Sequence, residues 1–465
     1  MFYQVPQHID NNKVFIVQRS EIEGRLDPKM ALYNRKVQNS LYPKVKLKDV
    51  LLCKPQYGAS EPGVPRSSIK EPRYIRITDI DENGLISHDE LGATAKIIED
   101  KYILCENDIL IARSGATVGK AYIHKPALYD CFFAGYLIRF IINTDKALPE
   151  YIFTYTQLNA YKEWVNAIQR PSGQPNINSE EYQSLEIPLP NIERQQVIVD
   201  VIKSAYLQKK QKESEAKQLL DNVDAYILNE LGITLPEIKT DLKNRIFKVN
   251  RSELEERLDP TVYKDGIKLI SNNYDNVKLS SVAYVNPTGT FKGKDIETPI
   301  SFIPMESIDE IYSEVSKLED TTIENASGFT KFKEGDLLWA KITPCMQNGK
   351  SAIAKNLKNG LGCGSTEFFV MRNKDERLAI EYLHVILHMK CVRETAMLYF
   401  GGSAGQRRVS SAFLENFNLP FPSKDKQIEI ASHVYAIRQK AKALQEEGKT
   451  LLENAKKEVE QMILG

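Results

Sequence analysis

A near-identical internal repeat is the feature of this 465-residue sequence that most limits how it can fold. The stretch VQRSEIEGRLDP at residues 17–28 returns as VNRSELEERLDP at residues 249–260, which is 232 positions later. The same displacement relates Gln195 in LPNIERQQVI to Gln427 in FPSKDKQIEI. The sequence therefore predicts two related units, each roughly 230 residues long.

The interior of the repeat has changed more than its ends. RYIRITDI at residues 73–80 aligns with SFIPMESI at residues 301–308 at a displacement of 228 instead of 232. Ends that keep their register around a divergent interior are typical of related folding units with different surface loops. Repeats of this length are too long for a solenoid, so each unit is expected to be a domain or a pair of domains.

Each unit opens with a β-rich part. Short alternating or apolar runs such as RYIRI, DILIA, LLWAKI and EFFVMR are separated by breaks rich in Gly, Pro and Asn, which is a strand pattern. A helix-forming segment interrupts the strands in each unit, at Pro149–Ile168 and at Arg377–Met397. We therefore expect an α+β fold for both globular parts.

Each unit closes with a segment of helical periodicity. Apolar residues recur at steps of three and four from Lys424 onward, and less regularly from Ile192 to Leu231. Such steps over several heptads are a coiled-coil pattern, and Gly232 is suited to end the first helix in a left-handed conformation. The expected architecture is two long helices that pair as an antiparallel coiled coil, with a pseudo-twofold axis relating the two units and the helices acting as spacers.

The charge balance restricts the class of function. The chain holds 62 Lys and Arg against 62 Asp and Glu, which argues against a protein that holds nucleic acid through a diffuse basic surface but leaves local basic patches open. The sequence contains no apolar run of 18 residues, no signal-peptide core and no C-x-x-C pair among its six cysteines. We expect a cytoplasmic protein with reduced thiols and no membrane partner.

Two kinds of loop in each unit carry side chains suited to DNA contact. GATVGKAY and QNGKSAI differ from a phosphate-binding loop in glycine spacing and continue into a β-like run, so they are predicted to be tight turns between strands. RPSGQPN and GGSAGQRRVS follow the helix-forming segments. Because Arg, Lys and Gln reach base edges or grip phosphates, the candidate DNA-binding residues are Arg113, Ser114, Thr117, Lys120, Gln174, Lys341, Thr343, Gln347, Lys350, Gln406, Arg407 and Arg408. The alternative is a structural role for these loops, as turns and as the connection into the long helices.

No catalytic or metal-binding motif is found. His384 and His388 share one predicted helix face in HVILH, but the glutamate of a zinc-peptidase motif is missing and the first unit has no counterpart. NPTG at Asn286 departs from the N-P-P-[YF] motif of adenine methyltransferases, and no glycine-rich cofactor loop accompanies it. We therefore predict neither a catalytic residue nor a metal site.

These segments together resemble the specificity subunit of type I restriction-modification systems. The resemblance rests on the S-G-x-x-x-[IV] turn at Ser172–Ile177, on IPLPNIERQQVIVDVI entering a long helix, on the second variable region and helix that follow, and on DILIARSGATVGKAYI. It spans nearly the whole chain. It implies a first target recognition domain at residues 1–190, a central spacer helix at 191–235, a second target recognition domain at 236–422 and a distal spacer helix at 423–465.

The resemblance also implies function and partners. A specificity subunit has no catalytic activity; it reads an asymmetric two-part sequence in double-stranded DNA, with one domain for each part and the helices setting the unread gap. Two methyltransferase subunits using S-adenosylmethionine and nuclease-translocase subunits using ATP and Mg²⁺ are the expected partners, and no cofactor is expected in this chain. The alternative is a duplicated coiled-coil scaffold for protein interactions without DNA binding, which would more often carry apolar patches on these loops.

Overall fold

The protein is described by a computed structural model that covers residues 16, 28–36, 40–86, 91–169, 175–236, 248–249, 251, 260–401 and 407–465. Its chain divides into two compact units, the first formed by residues 1–211 and 447–465 and the second by residues 212–446. Both long helices cross this division, so each unit contains a globular part and one end of each helix. The repeated RLDP motifs fall almost wholly outside the described residues.

The first unit mixes short strands with short helices before its long helix. Its elements in chain order are α1 (Pro28–Lys36), β1 (Lys44–Lys46), β2 (Gln56–Tyr57), β3 (Gly63–Pro65), β4 (Arg73–Ile75), β5 (Ala93–Ala95), β6 (Ile109–Ala112), β7 (Ala121–Ile123), β8 (Cys131–Phe133), β9 (Leu137–Phe140), α2 (Pro149–Tyr155), α3 (Asn159–Ile168), α4 (Ser179–Gln183), β10 (Glu186–Pro188) and α5 (Ile192–Asp221). The strands form two four-stranded sheets, ordered β2-β9-β6-β7 and β3-β5-β4-β8, and a β1-β10 pair. β4 and β8 pair in parallel.

The second unit has a closely similar order of elements. They are α6 (Val223–Glu230), α7 (Pro260–Asp265), β11 (Asn276–Lys278), α8 (Leu279–Val282), β12 (Ala283–Val285), β13 (Pro299–Ile303), β14 (Glu319–Thr322), β15 (Thr330–Lys333), β16 (Leu337–Ala340), β17 (Ser351–Ile353), β18 (Leu361–Gly364), β19 (Phe368–Asn373), α9 (Ile380–His388), α10 (Lys390–Met397), β20 (Phe400–Gly401), β21 (Arg408–Val409), α11 (Ser411–Asn416), β22 (Asn418–Pro420) and α12 (Lys424–Leu464). Its sheets are β12-β19-β16-β17, β14-β13-β18-β15, β11-β22 and β20-β21. The predicted mixture of helix and sheet is confirmed.

Strand pairs at matching positions show how alike the units are. Lys44 lies opposite Pro188 in the β1-β10 pair, and Asn276 lies opposite Pro420 in the β11-β22 pair. These positions are related by the displacement of 232 that the sequence shows. The parallel pair also returns, since β13 and β18 are parallel as β4 and β8 are.

The helix-forming segments are divided where the sequence predicts continuous helices. The segment Pro149–Ile168 is split into α2 and α3, because Leu158 takes an extended conformation and the Thr156 hydroxyl donates to the carbonyl of Phe153 at 2.6 Å. A hydroxyl bonded to the preceding turn competes with helix continuation. Arg377–Met397 is likewise split at the extended Met389, into α9 and α10.

The ends of the long helices pack against the globular part of each unit. In the first unit, Ile198 and Ile202 of α5 lie in the same buried core as Val459 and Ile463 of α12. Fully burying an aliphatic side chain of this size contributes about 1.5–3 kcal/mol. The early part of α5 therefore lies with the late part of α12, as expected for helices that run antiparallel there.

The second unit contains the opposite ends of the same helices. Ala216 of α5 and Ala441 of α12 are both fully buried in one small cluster, and Glu230 of α6 pairs with Lys426 of α12 at 2.7 Å. Positions again rise along one helix as they fall along the other. The predicted helix from Ile192 to Leu231 is interrupted by a turn at Asn222.

Gly232 ends this helical segment as the sequence predicts. Its φ of +62° is a left-handed conformation that glycine adopts without a side-chain clash. The backbone N–H of Ile233 then donates to the carbonyl of Leu228 at 2.8 Å, which closes a Schellman-type end. The start of the following segment is fixed by this turn.

Candidate functional site

In the first unit, the loop that joins β6 to β7 is a tight turn with two left-handed glycines. Gly115 and Gly119 have φ values of +81° and +87°. A side chain at Gly119 would approach Val165 of α3 to 2.8 Å, so only glycine fits between the turn and that helix. The turn leads into a strand, as predicted, and presents Arg113, Ser114 and Thr117 beside the end of β6.

The second predicted loop lies directly against this turn. The N–H of Gly115 donates to the carbonyl of Pro175 at 3.0 Å, and the N–H of Ile177 donates to the carbonyl of Arg113 at 2.9 Å. Two segments that are about 60 residues apart in sequence thus form one surface. Gln174, the candidate in the second loop, lies outside the described residues.

The second unit builds the same arrangement at the equivalent positions. The N–H of Thr343 donates to the carbonyl of Arg407 at 3.0 Å, and the N–H of Val409 donates to the carbonyl of Lys341 at 2.9 Å. The β16–β17 turn here includes Gly349 at φ +89°, where a side chain would meet the His388 ring at 2.8 Å. Gln406 lies outside the part of the chain that the structure describes.

Two of the candidate lysines are bonded to the protein itself. The Lys120 ammonium donates to the carbonyl of Ile80, and the Lys350 ammonium donates to the carbonyl of Met305 at 3.2 Å. Each lysine therefore ties the turn to a short 3-10 helix beneath it. DNA contact through these two side chains stays a prediction.

The remaining candidates of the second unit differ in how they are held. Arg408 pairs with Glu367 at 2.7 Å, and hydrogen bonding to that carboxylate raises the pKa of the guanidinium. Lys341 lies over the Phe369 ring at 5.7 Å. Arg407 and Gln347 are exposed, with the Gln347 amide 3.1 Å from the Met397 sulfur. This surface therefore presents positively charged and amide side chains, and the ring beneath Lys341 is buried.

In the first unit, the paired loops border an open cleft of about 890 Å³. Arg113 lies over the Tyr57 ring at 4.8 Å on one side. Arg76 lines another side of the cleft. The hydrogen bond that its guanidinium donates to Asp79 raises the pKa of Arg76, so this group stays positively charged. Tyr136 also lines the cleft and is 65% exposed. A cleft with two guanidinium groups and the exposed ring of Tyr136 suits an anionic ligand that carries flat groups.

Tyr57, Arg76 and Tyr136 are not predicted from the sequence. Each stands alone in its own segment, with no repeated spacing that would single it out. A weak signal existed at Arg76, where RITD places Asp79 three residues on and closes an ion pair at 2.9 Å. Long-range strand pairing brings Tyr136 to the cleft and Tyr57 under Arg113.

His384 of HVILH belongs to the core of the second unit, and His388 is half-buried beside it. His384 Nδ1 lies 2.7 Å from the Tyr435 hydroxyl and its Nε2 lies 3.1 Å from the Ser351 hydroxyl. Burial lowers the pKa of His384 to about 3, and the pKa of His388 is lowered in the same direction. Both rings are therefore neutral near pH 7, and His384 acts as a hydrogen-bonding core residue. Among the described residues, no helix is both long enough and apolar enough to cross a membrane.

Comparison with known proteins points to one family. A family model described as the type I restriction modification DNA specificity domain matches residues 73–221 and 271–454, which is more than half of the chain. The chain is 35% identical over 168 residues to the type I restriction enzyme EcoEI specificity subunit of Escherichia coli, across 35% of this chain and 27% of that protein. It is 32% identical over 216 residues to the EcoAI specificity subunit of the same species, across 45% and 34% of the two chains. The matched segments thus span about a third or less of these relatives.

A solved structure supports the fold. One chain from a structure concerned with complex assembly and conformational transition of the type I R-M system superposes with a TM-score of 0.51. The match covers 90% of this chain and 96% of that chain at 16% sequence identity. At this identity the likeness concerns the fold, and residue roles must be argued from the site itself.

Proposed function

Because this chain belongs to the family of type I restriction-modification DNA specificity proteins, we propose that it reads a two-part DNA target, with one compact unit for each part. The chain would be the recognition component of a larger complex and would carry out no catalysis itself. Its neutral net charge fits this role, since partner subunits can supply many of the phosphate contacts.

The observation that carries the proposal is the paired-loop surface that recurs in both units with different side chains. Equivalent backbone hydrogen bonds hold Arg113 beside Ile177 and Lys341 beside Val409. The backbone arrangement is the same in both units, but the side chains differ. The first unit presents an arginine over a tyrosine ring, and the second presents a lysine over a phenylalanine ring. A common frame with unlike donors suits two readers of unlike half-sites, as a diverged internal duplication would produce.

The cleft of the first unit offers chemistry for direct readout. Arginine donates bidentately to the O6 and N7 atoms of guanine, and a good pair of this kind discriminates by about 1–3 kcal/mol. Arg113 and Arg76 border the cleft and can face a base edge or a phosphate. Tyr136 at the rim can contact a sugar or a thymine methyl group. Arg113 is the residue we assign to base readout.

The long helices are proposed to set the gap between the half-sites. Support comes from each unit separately, where α5 and α12 pack in opposite directions: Ile198 near Val459 in the first and Ala216 near Ala441 in the second. We propose that α5 and α12 pair as an antiparallel coiled coil, which the contacts within each unit support. A rigid pair of helices would hold two recognition surfaces at a fixed separation.

The proposed partners follow from the family. Two methyltransferase subunits using S-adenosylmethionine would dock on this chain, and nuclease-translocase subunits using ATP and Mg²⁺ would join for cleavage. The rival function is a coiled-coil adaptor that holds two β-rich domains without DNA. The arginine- and lysine-bearing surfaces favour DNA recognition over that rival.

A mobility-shift assay of the full chain, alone and assembled with the methyltransferase subunit of its own system, tests the proposal. We expect a sequence-specific shift with genomic fragments that contain the target, competed weakly by unrelated DNA. An assembled complex that binds no DNA would support the adaptor function and contradict ours.

A further inference from the structure

A second cleft of the first unit, about 320 Å³ in volume, lies at the junction of α3, α5 and α12. It is separate from the cleft bordered by Arg113 and Arg76, which is called the recognition cleft below. Five lysines line it from these three helices, together with three glutamates. The lysines are Lys162 on α3, Lys209 on α5 and Lys449, Lys456 and Lys457 on α12. Convergence of ammonium groups from separate elements, instead of along one helix face, distinguishes this cleft from an ordinary solvated surface.

Close helix packing brings these lysines together. Gly448 of α12 lies directly on Lys209, and a side chain there would meet the Lys209 Cα at 3.4 Å. Glycine is unfavourable within a helix, and this close approach explains its presence here. The turn before β5 closes another side, where Tyr206 of α5 donates to the carbonyl of the buried Asn83 at 3.1 Å.

Lysines outnumber carboxylates in the lining of the cleft, where five lysines lie with Glu82, Glu453 and Glu460. Glu460 is engaged in accepting the N–H of Ala160 at 2.7 Å, at the start of α3. The Lys456 ammonium reaches only the Asn83 side-chain oxygen, at 3.4 Å, among the hydrogen bonds to described residues. Burial, and then the nearby charges of Lys162 and Lys209, lower the pKa of Lys456, while the charges of Glu82 and Glu453 oppose that shift. An anion placed among these ammonium groups would relieve that repulsion.

The lysine cleft is connected to the recognition surface. It shares Gln157 and Lys162 with a cleft of about 460 Å³ beneath the Gly115–Lys120 turn. That cleft begins at Gly115, next to Ser114 of the recognition cleft. The three clefts therefore follow one another over the surface of the first unit. A phosphodiester chain leaving the recognition cleft could continue along this path.

We propose that the cleft formed by Lys162, Lys209 and Lys456 binds phosphate groups. The connected path favours DNA as the source of these phosphate groups, namely the backbone of the unread DNA next to the first half-site. This choice of source rests on the proposed function. A free polyphosphate would present the same chemistry, and the two sources are separable by experiment. The contacts are sequence-independent, so they add affinity and leave the recognised bases unchanged.

The test compares the wild-type chain with a Lys162→Gln, Lys456→Gln double variant, each assembled with the methyltransferase subunit. A Lys203→Gln, Lys440→Gln variant removes two exposed lysines of α5 and α12 outside the cleft and serves as the matched control. DNA affinity is measured across a salt series, and the methylated sequence is determined for each variant. Calorimetry with sodium tripolyphosphate, in the absence of DNA, forms the second arm.

If DNA is the source, the cleft variant loses about 1.8 from the slope of log K against log salt, at roughly 0.9 for each phosphate contact, and keeps its target sequence. The control should lose no more than a small fraction of that. An unchanged slope together with tripolyphosphate binding that only the cleft variant loses would identify free phosphate as the ligand. An unchanged slope with no tripolyphosphate binding would overturn the inference. Failure of the wild-type complex to bind DNA would instead contradict the proposed function, and the calorimetric arm would still decide the cleft.

Discussion

The side-chain oxygen of Gln195 accepts a hydrogen bond from the backbone N–H of Leu148 at 2.8 Å. Its amide nitrogen donates to the carbonyl of Pro190 at 2.8 Å, so one fully buried glutamine joins the start of α2 to the entry of α5. Gln427 makes the matching bonds to Ala379 and Pro422 in the second unit. This side chain fixes the direction in which each long helix leaves its globular part.

Replacing that glutamine should destabilise the unit that contains it. Gln195→Ala leaves the buried N–H of Leu148 without its partner, which costs about 1–3 kcal/mol. Urea unfolding followed by circular dichroism measures the loss. The neighbouring Gln196→Ala is the control, because Gln196 is exposed and its amide donates to Asp200 within the same helix. Equal losses in the two variants would show that the buried bonds do not stabilise the junction.

Arg113 should govern the bases of one half-site only. Arg113→Ala removes the guanidinium stacked on Tyr57 and is expected to weaken binding to the cognate sequence by about 1–3 kcal/mol while relaxing one position of the first half-site. Lys341→Ala in the second unit should affect the other half-site. Competition binding against target libraries measures both effects. If either substitution relaxed both half-sites, the assignment of one unit to each half would be wrong.

His384 predicts a pH dependence of stability. Burial holds its pKa at about 3 in the folded protein, while an unfolded histidine titrates near 6.5. Between these values the unfolded state binds the extra proton, so the free energy of unfolding falls as the pH falls below about 6.5, by up to about 1.4 kcal/mol per pH unit for this group. That contribution stops falling near the folded pKa.

His384→Gln should therefore flatten the pH dependence of unfolding between about pH 6 and about pH 4 by nearly one proton. Urea midpoints at several pH values give this slope, and titration of the carboxylates, common to both proteins, cancels in the difference. A slope equal to that of the wild type would mean that His384 titrates normally in the folded state.

Local patterns in the sequence predict the elements, and long-range pairing assembles the site. Gln195 and Gln427 stand at matching positions of the repeat, and Gly232 closes its helix through neighbours a few residues away, so these three positions could be singled out from the sequence. The contact between Gly115 and Pro175 joins segments about 60 residues apart. Neither segment carries a sequence pattern that predicts contact with the other. Tyr136 reached the cleft through the strand pairing of β9, for the same reason.

The division of the helix-forming segments shows the limit of periodicity. Apolar residues continue through Leu158 and Met389 without a break in period, yet both take extended conformations. Because the residues on both sides of each turn are buried, they are apolar whether or not the helix continues. The long helices, whose solvent-facing sides are polar, were correspondingly easier to predict.

Lengthening both helices by one heptad tests the central claim most directly. Inserting seven residues between Gln211 and Lys212, and seven between Glu446 and Glu447, preserves the buried face and adds about 10 Å at 1.5 Å per residue. At about 3.4 Å per base pair this distance corresponds to about three base pairs. Methylation sequencing of DNA from cells carrying the variant with its partner subunits should show both half-sites unchanged and the gap about three base pairs longer. Altered half-site bases with an unchanged gap would contradict the account.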